Sequence, residues 1–267
     1  MIINEIPIII GTIWQIKIKY KHMRAMIFAA GLGTRLQPLT NNTPKALVEI
    51  SGKSLLEHCI ENLKNQGITN IVINVHHFSE QIVNFLELKK NFGINLQISD
   101  ESEKLLDTGG GILKAKPFLK GNEPILIINV DVLTNLDLHE LQNFHLKEKA
   151  LASLVVRKRE TSRYLLFDET KQLTGWKNNK TGESKVCRKK RFSLSTAYAF
   201  SGIQMIQPEL LDFIEETGRF SIIDLYLRLA KTETIKAFID EKSVWMDLGK
   251  YEQIAQAEQL LKQLQNK

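Results

Sequence analysis

A chain of 267 residues with 43% hydrophobic and 25% charged side chains has ordinary globular composition, which excludes disorder, collagen-like structure and a disulfide scaffold. Its two cysteines, Cys59 and Cys187, form no CxxC or Cys/His cluster, so a structural zinc site is not expected and a reducing cytoplasm is the expected compartment. The net charge of +6 is concentrated in residues 157–191, where twelve Lys or Arg face Glu160, Asp168, Glu169 and Glu183; that pattern suits an anionic small molecule or a solvated hairpin better than nucleic acid.

Residues 1–22 are Ile-rich, and Lys17, Lys19 and Lys21 follow the apolar part, the reverse of a signal peptide. Glu5 and Pro7 interrupt them, and no apolar run in the chain approaches the roughly 20 residues that span a bilayer, so no membrane association is expected. Met23 reads as the natural start and residues 1–22 as an over-extended reading frame. The rival reading is an extra strand, because QIKIKY alternates with period two. Residues 23–267 then form a single domain.

The apolar run 26–30 predicts a first strand that breaks into Gly31-Leu32-Gly33. Over 54–66, Leu55, Leu56, Cys59, Ile60 and Leu63 share a helical face, with Gly67 placed as a C-terminal cap. A buried strand follows at 71–75, then a helix capped by Ser79 and running to about Lys90, and a strand at 94–98. A short helix is predicted at 111–116 and a strand at 125–130. Asp137 with Glu140 opens a helix to about Lys149, and a strand follows at 151–156. Short strands and polar turns over 157–195 predict an antiparallel insertion. Ser221 and Asp224 open a further helix, and residues 252–265 close the chain as another. Apolar strands alternating with helices give an α/β fold: a mostly parallel, doubly wound, Rossmann-like sheet with a small antiparallel insertion. Such sheets bind ligands beyond the carboxyl ends of their strands.

The loop after the first strand reads Ala29-Ala30-Gly31-Leu32-Gly33-Thr34-Arg35, followed by Thr43-Pro44-Lys45. Closely spaced glycines let backbone N–H groups approach phosphate oxygens, Thr34 adds a hydroxyl, and Arg35 and Lys45 add charge. The string is neither a Walker A loop nor a complete GxGxxG fingerprint.

The full string AAGxGTRLxPLT…PK resembles the signature of the sugar-phosphate nucleotidyltransferases, and the resemblance runs from Met23 to the C-terminus. It implies attack of a sugar 1-phosphate on the α-phosphorus of an NTP, with loss of pyrophosphate. It also implies that Arg35 and Lys45 are catalytic, stabilising the triphosphate and the leaving group. Ala29, Ala30, Gly31, Gly33 and Thr34 would hold base and phosphates. Asp131, after the ILIINV strand, matches the family's magnesium aspartate, although Val130 stands where glycine usually precedes it. Asp247, in Trp245-Met246-Asp247-Leu248-Gly249, resembles the second metal carboxylate in W-x-D-x-G. Two carboxylates suffice for Mg²⁺, which takes its remaining ligands from phosphate and water.

The segment Leu106-Asp107-Thr108-Gly109-Gly110-Gly111 matches the family's TGG stretch, with Asp107 where relatives have glutamate. Its glycines allow close approach of a flat ligand, placing Thr108 and Gly109 at the nucleotide and Gly110 at the sugar. Ser201 and Gly202 match the segment lining the sugar pocket. Asn74, with His76 and His77, follows a strand end and is expected to edge the base pocket, the rival reading being that the histidines merely lie at the surface. Trp176 is placed over a sugar ring or as a hairpin anchor, and Cys187 is a bystander. The acceptor phosphate is already an anion, so no general base is needed. The LDTGGGI form favours UTP with an amino-sugar 1-phosphate, with GTP-dependent mannose 1-phosphate transfer as the alternative. A non-catalytic nucleotide-sugar-binding domain is the third reading.

Overall fold

The structure is a computed structural model and describes residues 23–265; the readings of residues 1–22 fall outside the described residues. Four parallel strands form its heart in the order β5 (Asn95–Asp100), β4 (Asn70–Val75), β1 (Arg24–Phe28), β6 (Ile125–Asn129). Helices α1 (Leu55–Asn65), α2 (Ser79–Leu88) and α3 (Asp107–Ala115) connect them.

The strand side chains alternate between two cores, as a period of two requires. Met26, Val72, Ile125 and Ile127 face one, covered by α3 and by a later helix, Ile222–Leu229. Ala25, Ile27, Ile71, Ile73, Leu126 and Ile128 face the other, with α1, α2, α4 (Leu138–Lys147) and the last helix, Ile254–Gln265, packed over them. In chain order these two later helices are α5 and α6. Both faces of the sheet are therefore buried, and the expected doubly wound α/β fold is present.

Beyond β6 the sheet becomes mixed. The long strand β12 (Thr196–Ile206) runs antiparallel to β6, with β8 (Ala152–Arg157) antiparallel on its other side and β13 (Ile235–Ile239) parallel to β8. Its residues 203–206 pair with β6, whereas 196–198 pair with β9 (Arg163–Phe167). There β10 (Leu173–Asn178) and β11 (Ser184–Val186) complete the antiparallel insertion. The change of partner coincides with a register shift between Phe200 and Gln204, at Gly202 with φ +73°. A two-stranded ribbon, β7 (Val132–Thr134) with β14 (Trp245–Asp247), leaves the end of β6, and a second, β2 (Glu49–Ile50) with β3 (Lys53–Ser54), precedes α1.

Local chemistry accounts for the helix ends. Ser54 accepts the Glu57 N–H at 3.1 Å, and Gly67, at φ +82°, lets its own N–H and that of Ile68 reach the carbonyls of Lys64 and Leu63. Asp137 accepts from the His139 and Glu140 N–H groups, and Ser221 from that of Ile223.

Two expectations need correction. Ser79 does not cap α2: Phe78 precedes the helix in a left-handed conformation, and the helix ends at Leu88 before a 3-10 turn over Lys90–Gly93. Helix α3 starts at Asp107, four residues before Gly111, so the glycine run lies inside the helix rather than ahead of it. Three helical glycines are unfavourable on propensity alone; packing against residues 218–222, described below, overrides it.

Candidate active site

The connection leaving β1 turns towards β4, whereas that leaving β5 crosses β1 to reach β6. The carboxyl ends of β1, β4 and β6 therefore flank a topological switch point, where a crevice opens. A cleft of about 330 Å³ lies there, lined among others by Ala29, Ala30, Gly31, Lys45, Asn74, Thr108 and Asp131. Seven residues singled out from sequence thus share one cavity.

At one end, Gly33 folds the loop back on itself. Its φ is +66°, and a Cβ there would come within 2.9 Å of Lys45 Cβ and 3.0 Å of Thr40 Cγ2. The Gly33 carbonyl accepts from Thr40 Oγ1 at 2.9 Å and from the Leu36 N–H at 2.8 Å. Leu36 is buried and anchors the 3-10 turn Thr34–Leu36, which leaves Thr34 and Arg35 exposed. The Lys45 ammonium pairs with Oδ2 of Asp131, both side chains being mostly buried.

Asp131 is tied to Asp247 through the backbone. Its carbonyl accepts the Leu248 N–H at 2.9 Å, and Val132 stands opposite Asp247 in the β7–β14 ribbon. The Arg35 guanidinium lies against Gly249, where a Cβ would be 3.3 Å from Nη1. Arg35, Lys45, Asp131 and Asp247 thus gather around one corner, although only Lys45 and Asp131 line the cleft itself.

Trp245 fixes the ribbon from behind. Its ring is flanked by the guanidinium groups of Arg157 and Arg159, at 5.0 and 4.7 Å, and its indole N–H donates to the Ser201 carbonyl at 2.9 Å. Arg157 is held by buried Asp240 at 2.6 Å. Burial lowers the Arg159 pKa, opposed by the charge of Asp247 nearby.

The other end is built on a residue that sequence reading missed. Glu101 is fully buried; its Oε1 accepts from Asn74 Nδ2 at 2.7 Å and its Oε2 from the Leu106 N–H at 3.2 Å. Asn74 Oδ1 in turn accepts the Ala29 N–H at 2.8 Å. Burial pushes the Glu101 pKa up, against these hydrogen bonds, which pull it down. Leu105, Asp107 and Arg219 also line the cleft and were missed as site residues. Asp107 occupies a left-handed backbone (φ +62°) where its short side chain can bond locally; its Oδ1 accepts the Thr108 N–H at 2.6 Å.

The glycine run is packed against protein. Gly109 and Gly110 both donate N–H to the Phe220 carbonyl, at 2.9 and 3.4 Å. A Cβ on Gly109 would meet the Phe220 ring at 2.3 Å, and one on Gly110 the Gly218 carbonyl oxygen at 2.2 Å. Thr108 Oγ1 accepts the Ile222 N–H at 3.0 Å. Gly109 and Gly110 therefore sit behind the cleft wall. Gly202 does so too, since a Cβ there would lie 2.8 Å from Nδ2 of Asn129, itself a lining residue, and Ser201 is buried at 1% exposure and does not line the cleft.

His76 Nδ1 bonds the Glu101 carbonyl at 2.6 Å, while His77 is exposed with its ring against Phe78. Trp176 carries Lys185 over its ring, and burial raises the Cys187 thiol. Several cations of the basic segment serve structure: Arg191 pairs with Asp168 and Glu169, Lys185 with Asp224, and Arg188 donates to the Ala230 carbonyl.

The family model described as nucleotidyl transferase matches residues 24–263. A mannose-1-phosphate guanyltransferase of Yarrowia lipolytica is 31% identical over 231 residues, covering 85% of this chain and 61% of the relative, so the chain spans about three fifths of that protein. An N-acetylmuramate alpha-1-phosphate uridylyltransferase of Caulobacter vibrioides is 31% identical over 232 residues, covering 84% of this chain and 91% of the relative. Among solved structures, a putative glucose-1-phosphate thymidylyltransferase of Bacillus anthracis superposes with a TM-score of 0.73 at 21% identity, over 89% of this chain and 94% of that one. HddC of Yersinia pseudotuberculosis, complexed with GMP-PN, gives 0.72 at 23%, over 89% and 99%. These likenesses support the fold, and the sequence match over nearly the whole described chain supports more: the chain belongs to the nucleotidyl transferase family.

Proposed function

We propose that the protein joins an NTP to a sugar 1-phosphate, forming an NDP-sugar and pyrophosphate. The observation that carries this reading is the gathering of Lys45, Arg35, Asp131 and Asp247 at one corner of a switch-point cleft. An oxygen of the sugar phosphate forms the new bond to the α-phosphorus as the bond to the pyrophosphate leaving group breaks. The nucleophile is already anionic, so the protein's task is alignment and charge neutralisation. Lys45 and Arg35 supply positive charge to the triphosphate and the leaving group.

Among the described residues no cluster of three or more His, Cys, Asp or Glu suits a metal. Asp131 and Asp247, on adjoining backbone, are nevertheless of the right chemistry for Mg²⁺, which binds through one or two carboxylates and completes its shell with phosphate and water. Asp131 and Asp247 would hold the ion; when bound, it supplies further charge neutralisation at phosphate oxygens.

UTP with an amino-sugar 1-phosphate is the favoured pair, supported by the LDTGGGI segment and by the 91% coverage of the Caulobacter vibrioides relative. GTP with mannose 1-phosphate is the second reading, supported by equal identity to the Yarrowia lipolytica relative. The test crosses a panel of NTPs with sugar 1-phosphates in the presence of Mg²⁺ and reads released pyrophosphate. Release with UTP and an amino-sugar 1-phosphate is expected; silence across the whole panel refutes the reading in favour of a non-catalytic binding domain.

A further inference from the structure

Ala29, Ala30 and Gly31 form one wall of the cleft, and Leu105, Asp107 and Thr108 form another. These walls come from different connections, after β1 and after β5, and no ladder hydrogen bond joins β1 to β5 directly. A chain of three hydrogen bonds does so instead: Ala29 N–H to Asn74 Oδ1, Asn74 Nδ2 to Glu101 Oε1, and Leu106 N–H to Glu101 Oε2. Asn74 is 3% exposed and Glu101 fully buried, so water does not compete for these bonds. Gly111 leaves the necessary room, since a Cβ there would be 2.7 Å from Glu101 Oε1 and 3.0 Å from Asn74 Nδ2.

We propose that Glu101 is a positioning residue for nucleotide binding: through Asn74 and Leu106 it sets the separation of the two walls that grip the nucleoside. This rests on the nucleotidyltransferase reading and adds a residue to it. The polarity of the chain is fixed. Two N–H groups point at Glu101, which must accept from both, and Asn74 can orient its amide only one way, because its oxygen must face the Ala29 N–H.

That polarity makes the isosteric change informative. Glu101→Gln has one acceptor for two incoming N–H groups. With its oxygen towards Asn74, its NH₂ opposes the Leu106 N–H; turned over, it obliges Asn74 to flip and present NH₂ to Ala29. Each arrangement leaves one buried donor facing another. The double exchange Asn74→Asp with Glu101→Gln removes the conflict. The introduced glutamine would donate to the introduced aspartate and accept the Leu106 N–H, while that aspartate would also accept the Ala29 N–H. All three hydrogen bonds return, with the buried negative charge moved from one side chain to its neighbour.

The experiment measures equilibrium binding of UTP and of GTP, separately, by calorimetry, with melting temperature recorded for each protein. Binding is used so that the result does not depend on the acceptor sugar. Expected are tenfold or greater weakening of the preferred nucleotide in E101Q and, in N74D/E101Q, binding at least threefold tighter than in E101Q though short of wild type, because Asn74 itself lines the cleft. Three outcomes overturn the proposal: unchanged affinity in E101Q whatever its melting temperature, a folded double variant that stays as weak as E101Q, or a double variant that does not fold. If the wild-type protein binds neither nucleotide, the nucleotidyltransferase reading itself fails.

Discussion

The Lys45 ammonium rests on Oδ2 of Asp131, with 13% of one side chain and 14% of the other exposed. The residue expected to bind phosphate and the residue expected to bind metal are therefore direct partners of one another. Lys45→Met is expected to lower turnover on the order of 10²-fold or more, as loss of a preorganised cation does elsewhere. It should also tighten Mn²⁺ binding to the nucleotide-free protein, because Asp131 no longer has a competing cation. Steady-state pyrophosphate release and Mn²⁺ titration check the two halves independently.

Arg35 is exposed and lies on Gly249, so its loss should leave the fold intact. Arg35→Ala is expected to keep its melting temperature within about a degree or two, as surface substitutions do, while turnover falls on the order of 10²-fold. Near-wild-type turnover would remove Arg35 from the chemistry.

Gly31 and Gly110 should respond oppositely to alanine. At Gly31 an added methyl meets nothing within 4 Å, and denaturant stability should stay within about 0.5 kcal/mol of wild type. At Gly110 it would strike the Gly218 carbonyl oxygen at 2.2 Å, a backbone atom that cannot swing aside. Destabilisation of about 3 kcal/mol is expected there, read by chemical denaturation.

His145 confers acid sensitivity. It is fully buried with Nδ1 on Ser153 Oγ at 2.9 Å, and its Nε2 has no hydrogen-bond partner. Burial lowers its pKa from 6.5 to about 4. The unfolded chain therefore takes up a proton in this window while the native protein does not, so stability is complete above about pH 6.5 and falls as pH drops towards 4, by about 3 kcal/mol in total. In His145→Gln the slope of stability against pH over that interval should flatten, measured by urea denaturation at a series of pH values.

Trp245 carries the ribbon on which Asp247 stands. Trp245→Leu loses two cation–π contacts and the hydrogen bond to the Ser201 carbonyl, with an expected stability loss of about 2 kcal/mol. Trp245→Phe, which keeps a ring but no donor, should fall between. Thermal melts of the three proteins order them.

What could be read from the sequence depended on how local its cause was. The amphipathic face of α1 and its Gly67 stop are written within a few turns of chain and appear as expected, with Ser54, read as the first helical residue, serving instead as the cap. The Ala29–Gly33 loop and Asp131 follow from the rule that ligands gather at strand ends. Glu101 had no comparable signal, since an isolated glutamate after a strand is usually solvated; only the fold reveals that it faces Asn74, 27 residues away. The start of α3 was misplaced for a related reason. Gly109, Gly110 and Gly111 are poor helix formers, and what stabilises them as helix is the backbone of residues 218–222, over a hundred positions downstream. Phe78 likewise takes a left-handed conformation that propensity assigns to Gly or Asn, and this displaced Ser79 from its predicted cap.

Strand β12 changes partner within one ten-stranded sheet, pairing with β6 by its last residues and with β9 of the antiparallel hairpins by its first. The hairpins are thus joined to the rest of the sheet by continuous backbone rather than by a tether. The Gln172–Lys236 bridge and the Arg188 hydrogen bond to the Ala230 carbonyl clasp the hairpins a second time, so the left-handed kink at Gly202, beside Asn129 at the cleft wall, is braced from both ends.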